Sequence, residues 1–160
     1  GVGGGVVVDG KVLGGHHGIG GEWGHNILIP DGDPCYCGLR GCVETVISGT
    51  ALEHWYAAQT GRGMRLREIV ASDEPSAKAT VDRLCDYFGR ALASVVNVLD
   101  PDAIVLGGGV GNVDALYTKG RESLQQWIFN PMFNAKLLRP ELGDSAGVFG
   151  AAMLARQVNS

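Results

Sequence analysis

Three of the chain's four cysteines fall within eight residues, as Cys35-Tyr36-Cys37-Gly38-Leu39-Arg40-Gly41-Cys42, with His25 ten positions upstream. Three thiolates and one imidazole make a closed tetrahedral set of the kind that holds structural Zn²⁺, and Gly38 and Gly41 relieve the tight turns a knuckle imposes. A disulfide with one spare thiol is the competing arrangement. The odd local count, the absence of a secretory leader and an isolated Cys85 inside a helical pattern argue against it. The spacing predicts a zinc knot held by His25, Cys35, Cys37 and Cys42, with Cys85 packed as a small apolar side chain.

Such a knot ties His25 to Cys42 and draws two acids towards the same point. Glu22 lies three residues before His25, and Glu44 lies two after Cys42. Two carboxylates beside a rigid metal loop can orient a polyhydroxylated ligand. They can equally hydrogen-bond the metal ligands or face solvent. His16 and His17 lack ligand spacing, and His54 falls on a polar helix face, so these three read as structural or exposed.

At 160 residues the chain can bury one core without disulfide staples, which predicts one compact domain. No apolar run approaches the ~20 residues of a membrane span. A net charge of −4 and the lack of any Lys/Arg cluster leave no basic field, so neither nucleic acid nor a membrane is an expected partner of this segment. Glycine, at 26 residues, is far above ordinary usage and gathers at 1–24, 32–49 and 107–111, which points to tight turns or to backbone brought close to ligands. The opening Gly1-Val2-Gly3-Gly4-Gly5, without an initiator Met, reads like a piece of a longer protein.

Along the chain, β-branched residues on either side of Asp9-Gly10-Lys11 predict a hairpin. Residues 26–29 suit a short strand ended by Pro30. Ser48 can cap a helix over 50–59, and 68–71 suits a brief second one. Val81, Leu84, Cys85, Phe88, Leu92, Val95, Val96 and Leu99 recur at three- and four-residue steps, predicting one long helix over 75–100. Asp100-Pro101 stops it, and 103–106 then makes an apolar strand running into Gly107-Gly108-Gly109. A helix starting at Asn112 or Asp114, a strand over 136–138 and a small-residue helix over 146–157 complete an α/β domain.

The glycines produce two false phosphate motifs. Gly5 to Lys11 opens like a Walker A loop, yet position 12 is Val and the segment is a hairpin. Neither Gly18-Ile19-Gly20 nor Gly107-Gly108-Gly109 completes a GxGxxG, because Trp23 and Asn112 stand at the third positions. What remains is Gly107-Gly108-Gly109 after a buried strand, either a place where bare backbone approaches a nucleotide or a simple strand-to-helix turn.

Gly-Val-Gly-Gly-Gly at 1–5, Gly-Glu-Trp-Gly-His at 21–25, Cys-Tyr-Cys-Gly-Leu-Arg-Gly-Cys-Val-Glu at 35–44, Ile-Ser-Gly-Thr at 47–50, Asp-Pro-Asp-Ala-Ile-Val-Leu-Gly-Gly-Gly at 100–109 and Gly-Asp-Ser-Ala-Gly-Val-Phe-Gly-Ala-Ala at 143–152 together resemble the ROK family of bacterial sugar kinases and repressors. Trp23 and the Cys-Tyr-Cys-Gly run resemble its manno/fructokinase branch most, with N-acetylhexosamine kinases next.

The resemblance implies the actin/hexokinase/Hsp70-like ATPase fold (ribonuclease H-like), with this chain, residues 1–160, as its C-terminal domain. It implies an ATP-dependent hexose kinase using Mg²⁺, cytoplasmic and homodimeric. It gives Glu22, His25 and Glu44 contacts to sugar, Gly3 and Gly4 contacts to ATP phosphates, and Gly107, Gly108 and Gly109 a place beside the adenosine. The family's Asp-x-Gly-Gly-Thr phosphate segment and its Asn-Asp pair, whose Asp is the general base, do not occur in these residues, so this segment is expected to be inactive alone. A ROK repressor using the same unit as a sugar sensor is the rival reading, and a purely structural zinc module a third.

Overall fold

Asp9 and Gly10 both have positive φ, 50° and 74°, the backbone of the two-residue turn whose twist suits paired strands. Around it Val7–Val8 (β1) and Lys11–Val12 (β2) pair antiparallel, Val7 opposite Val12 and Val8 opposite Lys11. The expected hairpin is therefore present, though short. The computed structural model describes residues 1–130, 132–141 and 143, and the helix expected over 146–157 lies outside them.

Residues 26–29 do not form the expected strand. They make a single antiparallel bridge, Ile27 to Cys42, because the N–H groups of Leu28 and Ile29 both turn to the Gly41 carbonyl, at 2.8 and 3.0 Å. Two donors on one acceptor cannot continue a ladder. Gly41 itself has φ 71°, and a Cβ there would fall on the Ile29 carbonyl, so only glycine allows this closure.

Four helices follow: Glu44–Ile47 (α1), Gly49–Thr60 (α2), Leu66–Ala71 (α3) and Pro75–Leu99 (α4). Ser48 caps α2 by accepting the Ala51 N–H at 3.2 Å, and Gly61, left-handed, ends it. The Glu68 carboxylate reaches back to the Arg65 N–H at 3.0 Å to open α3. Pro75 sits in the first turn of α4, where a missing N–H costs nothing, and Asp100 at φ 43° stops it.

Leu84, Phe88, Leu92 and Val96 form one buried stripe of α4 at four-residue steps. It packs with Val43, Val46, Ile47 and Leu52 and with Val113, Leu116, Leu124 and Phe133 in one core. Gly89 lets Lys119–Trp127 (α6) lie close, since a Cβ there would strike Ser123 and the Leu124 backbone. Cys85 is buried in this layer and its thiol donates to the Ala115 carbonyl at 3.4 Å. Burial, with Asp82 adding to it, pushes that thiol up to about 11.

Ala103–Val105 (β3) and Lys136–Leu138 (β4) pair in parallel, Ile104 opposite Leu137. Between them the chain makes Gly108–Gly111 (α5), a 3₁₀ turn at Asp114–Tyr117 and then α6. The single helix expected from 112 or 114 is thus broken at Thr118, whose φ of −115° and ψ of −88° are not helical. Burying both Val113 and Leu116 against α4 demands the tighter turn.

Candidate functional site

The cluster of His25, Cys35, Cys37 and Cys42 is built by backbone before side chains enter. Cys35 N–H donates to the Leu39 carbonyl at 2.9 Å and Gly38 N–H to the Cys35 carbonyl at 3.1 Å, making a tight knuckle around Tyr36 and Cys37. Val43 N–H reaches the Asn26 carbonyl at 2.9 Å, which brings Cys42 beneath the 3₁₀ turn Trp23–His25. The Cys42 thiol also points at the His25 carbonyl, 3.6 Å away.

His25 Nδ1 lies 3.6 Å from Cys35 Sγ, and Cys37 Sγ lies 3.7 Å from Cys42 Sγ. All four ligand atoms lie within 4.8 Å of one another. Bonds of about 2.0–2.3 Å to a tetrahedral ion imply ligand-to-ligand edges of about 3.3–3.8 Å, so the two close pairs already stand at such an edge. The sulfurs are far beyond disulfide distance, and all four cysteines are free. The set expected from spacing is brought together and fits a Zn²⁺ ion. Burial, then the adjacent Cys37 and Cys35, push the Cys42 thiol up to about 12, whereas the Leu39 backbone holds exposed Cys37 below its ordinary value. A cation among the sulfurs inverts that balance by favouring thiolates.

The two carboxylates differ. Glu44 opens α1 and its Oε2 accepts the Val2 N–H at 2.9 Å. Glu22 precedes the 3₁₀ turn, is exposed, and makes no side-chain hydrogen bond among the described residues. Both carboxylates act on Tyr36: partial desolvation, then the negative charges of Glu44, Cys35, Glu22 and Cys37, push its phenol above the usual range, so it remains an O–H group. The Tyr36 oxygen lies 3.0 Å from His25 Nε2.

Gly3 and Gly4 are held at the same place. The Trp23 indole N–H donates to the Gly3 carbonyl at 3.1 Å, and its ring covers Gly4 so closely that a Cβ would come within 2.9 Å of it. Gly24 admits Val2, whose carbonyl a Cβ at 24 would strike. Gly107, Gly108 and Gly109 stand at the carboxyl end of β3, and nothing lies within 4 Å of where their Cβ atoms would be. That openness is what a close approach of ligand to backbone requires.

Sequence reasoning missed three contributors: the Val2 N–H on Glu44, the Trp23 clamp on the opening segment, and the Tyr36 hydroxyl on His25. The first two join residues 42 and 20 positions apart and leave no periodic trace. Tyr36 was legible in principle, because it stands between Cys35 and Cys37, which the spacing already brings towards His25. A cavity of about 450 Å³ adjoins the knot, with Tyr36, Glu44, Ser48, Thr50, His54 and Arg83 in its wall.

Comparison with known proteins gives the family. The model of the ROK family matches residues 1–158. An N-acetyl-D-glucosamine kinase of Yersinia pseudotuberculosis serotype O:1b (strain IP 31758) is 34% identical over 167 residues, covering 96% of this chain and 55% of the relative. A ROK family glucokinase from Streptomyces griseus, solved in complex with glucose and AMPPNP, superposes with a TM-score of 0.86 at 31% identity, over 97% of this chain and 57% of that one. The ROK hexokinase from Thermus thermophilus is 41% identical with a TM-score of 0.78, over 94% and 52%. The chain spans about half the length of the relatives it matches. These names do not support the manno/fructokinase branch: Trp23 and the Cys35-Tyr36-Cys37-Gly38 run, which suggested it, are five positions, while the match runs through the whole chain. The architecture is that of the actin/hexokinase-like ATPase fold, and with the family model matched over 158 of its 160 residues the chain belongs to the ROK family.

Proposed function

We propose that these residues are the C-terminal domain of an ATP-dependent sugar kinase, acting on an N-acetylhexosamine or the parent hexose. N-acetyl-D-glucosamine is the first substrate to try, since a kinase of that name is 34% identical. The observation that carries the reading is the hydrogen bond from Val2 to Glu44. It fastens the Gly-rich opening segment, read as phosphate-contacting through Gly3 and Gly4, onto a carboxylate read as sugar-contacting. Phosphoryl transfer depends on holding a hydroxyl and a phosphate in line, and two binding elements hydrogen-bonded to each other serve that need.

In this reading Glu22 and Glu44 accept hydrogen bonds from sugar hydroxyls, and His25 donates one from Nε2. The open backbone of Gly107, Gly108 and Gly109 lies along the adenosine. His25, Cys35, Cys37 and Cys42 hold Zn²⁺, which supplies structure by tying the 21–25 turn to the loop that carries Glu44. Mg²⁺ bound with ATP supplies charge neutralisation at the phosphates. The general base belongs to residues outside this chain, which holds no Asn-Asp pair. Cysteines kept as free ligands suit a reducing, cytoplasmic setting, and no helix among the described residues is long and apolar enough to cross a membrane. A homodimer is part of the same proposal.

The test is ADP release by the full-length protein with N-acetylglucosamine, N-acetylgalactosamine, glucose, mannose and fructose. Turnover with at least one is expected, and background rates from residues 1–160 alone. A full-length protein that binds sugar without turnover, and carries a helix-turn-helix in place of the Asn-Asp segment, would make this unit the sensor of a repressor.

A further inference from the structure

Both nitrogens of His25 are engaged. Nδ1 faces the sulfur cluster, 3.6 Å from Cys35 Sγ, and Nε2 lies 3.0 Å from the Tyr36 hydroxyl. An imidazole that ligates a metal through Nδ1 is neutral and carries its proton on Nε2. His25 therefore donates and the Tyr36 oxygen accepts. The phenol ring stands edge-on to the imidazole with centroids 5.1 Å apart, and Tyr36 is 82% exposed, so little packing holds it there.

The Tyr36 hydroxyl thus stands among the three residues read as sugar-contacting, bonded to His25 and within electrostatic reach of Glu44 and Glu22. Tyr36 and Glu44 line the adjoining cavity, whereas His25 and Glu22 do not. A hydroxyl on an imidazole N–H, with Glu44 in the wall of the same cavity, offers that donor the same kind of acceptor as a sugar hydroxyl. We propose that Tyr36 sets the affinity of this site as an internal competitor: its hydroxyl holds the Nε2–H of His25 and is displaced when a sugar hydroxyl takes that donor. The inference rests on the reading of Glu22, His25 and Glu44 as sugar-contacting. One N–H serves one well-aligned acceptor, so phenol and sugar cannot both hold it. An exposed phenol that swings away is rehydrated, so the cost of displacement is the net worth of one hydrogen bond.

Tyr36→Phe in the full-length protein removes the competitor and keeps the ring. The dissociation constant for the sugar that turns over, measured by calorimetry without ATP, is expected to fall roughly 2- to 10-fold, the equivalent of one net hydrogen bond. KM should fall alike, while kcat and zinc content hold. Tyr36→Ala should repeat the tightening, separating the hydroxyl from ring packing. In ¹⁵N-histidine spectra the Nε2–H signal of His25 should shift in Tyr36→Phe. An affinity unchanged or weakened overturns the inference, weakening marking the phenol as a sugar contact, and an unshifted His25 signal overturns it whatever the sugar does. A wild-type protein that binds no sugar at all fails the sugar reading itself.

Discussion

The Val2 backbone N–H and the Glu44 carboxylate meet at 2.9 Å across 42 residues of chain. One oxygen of Glu44 is thereby spent on the opening segment, and the other makes no hydrogen bond among the described residues. Glu44→Gln keeps an oxygen able to accept from Val2, so the opening segment should stay docked and the melting temperature should hold. The lost charge should weaken sugar binding by about 1–3 kcal/mol, read by calorimetry on the full-length protein with zinc content as control. If Glu44→Gln instead released metal with sugar affinity unchanged, Glu44 would be a support for the zinc ligands.

The knot should carry one zinc per chain in protein purified without added metal, measured by elemental analysis. Because that binding energy adds to folding, chelation should lower the melting temperature by ~10 °C or more. Cys42→Ser, which removes a fully buried ligand, should lose zinc and stability together. A metal-free protein of unchanged melting temperature would sink the assignment.

Gly24 and Gly3 separate docking from binding. A Cβ at Gly24 strikes the Val2 carbonyl, while one at Gly3 meets nothing within 4 Å. Gly24→Ala should destabilise by about 1–3 kcal/mol in denaturant melts. Gly3→Ala should spare stability and weaken nucleotide affinity, because the added methyl blocks close approach of phosphate to backbone. Equal melting temperatures for the two variants would contradict the packing described.

Gly89→Ala should cost about as much as Gly24→Ala, since its Cβ would meet Ser123 and the backbone of Leu124 where α4 and α6 touch. The loss should appear as a lower denaturant midpoint with the zinc retained. A neutral effect would mean that the helices do not cross so closely.

Cys85 should be chemically inert in the folded protein. Its thiol is buried, bonded to the Ala115 carbonyl and pushed up to about 11 by burial, so almost none is thiolate at pH 8. Mass mapping after brief alkylation of chelated, folded protein should find exposed Cys37 labelled and Cys85 unmodified. Early labelling of Cys85 would place it at the surface.

How much could be read ahead of the structure depended on how far apart the partners lie. The gathering of Cys35, Cys37 and Cys42 was legible because eight residues of loop leave the thiols no distance to wander, and the joining of His25 to them because few residue types complete such a set. The hairpin was legible from Asp9-Gly10, whose left-handed backbone is a local property, and α4 from the spacing of Leu84, Phe88, Leu92 and Val96, since a helix writes its buried face into every fourth residue. The short strand expected over 26–29 failed because Leu28 and Ile29 share the Gly41 carbonyl, a partner twelve or more residues on. The helix expected from 112 or 114 failed because burial of Val113 and Leu116 against α4 outweighed local propensity. Likewise the joining of Gly3 to Trp23, of Val2 to Glu44 and of Tyr36 to His25 was decided by tertiary structure alone. Local geometry and ligand chemistry are carried by neighbouring residues and survive in the order of the chain. Which segment docks on which carboxylate is settled only when the core closes, because that contact is stabilised by packing the chain does not record in its spacing.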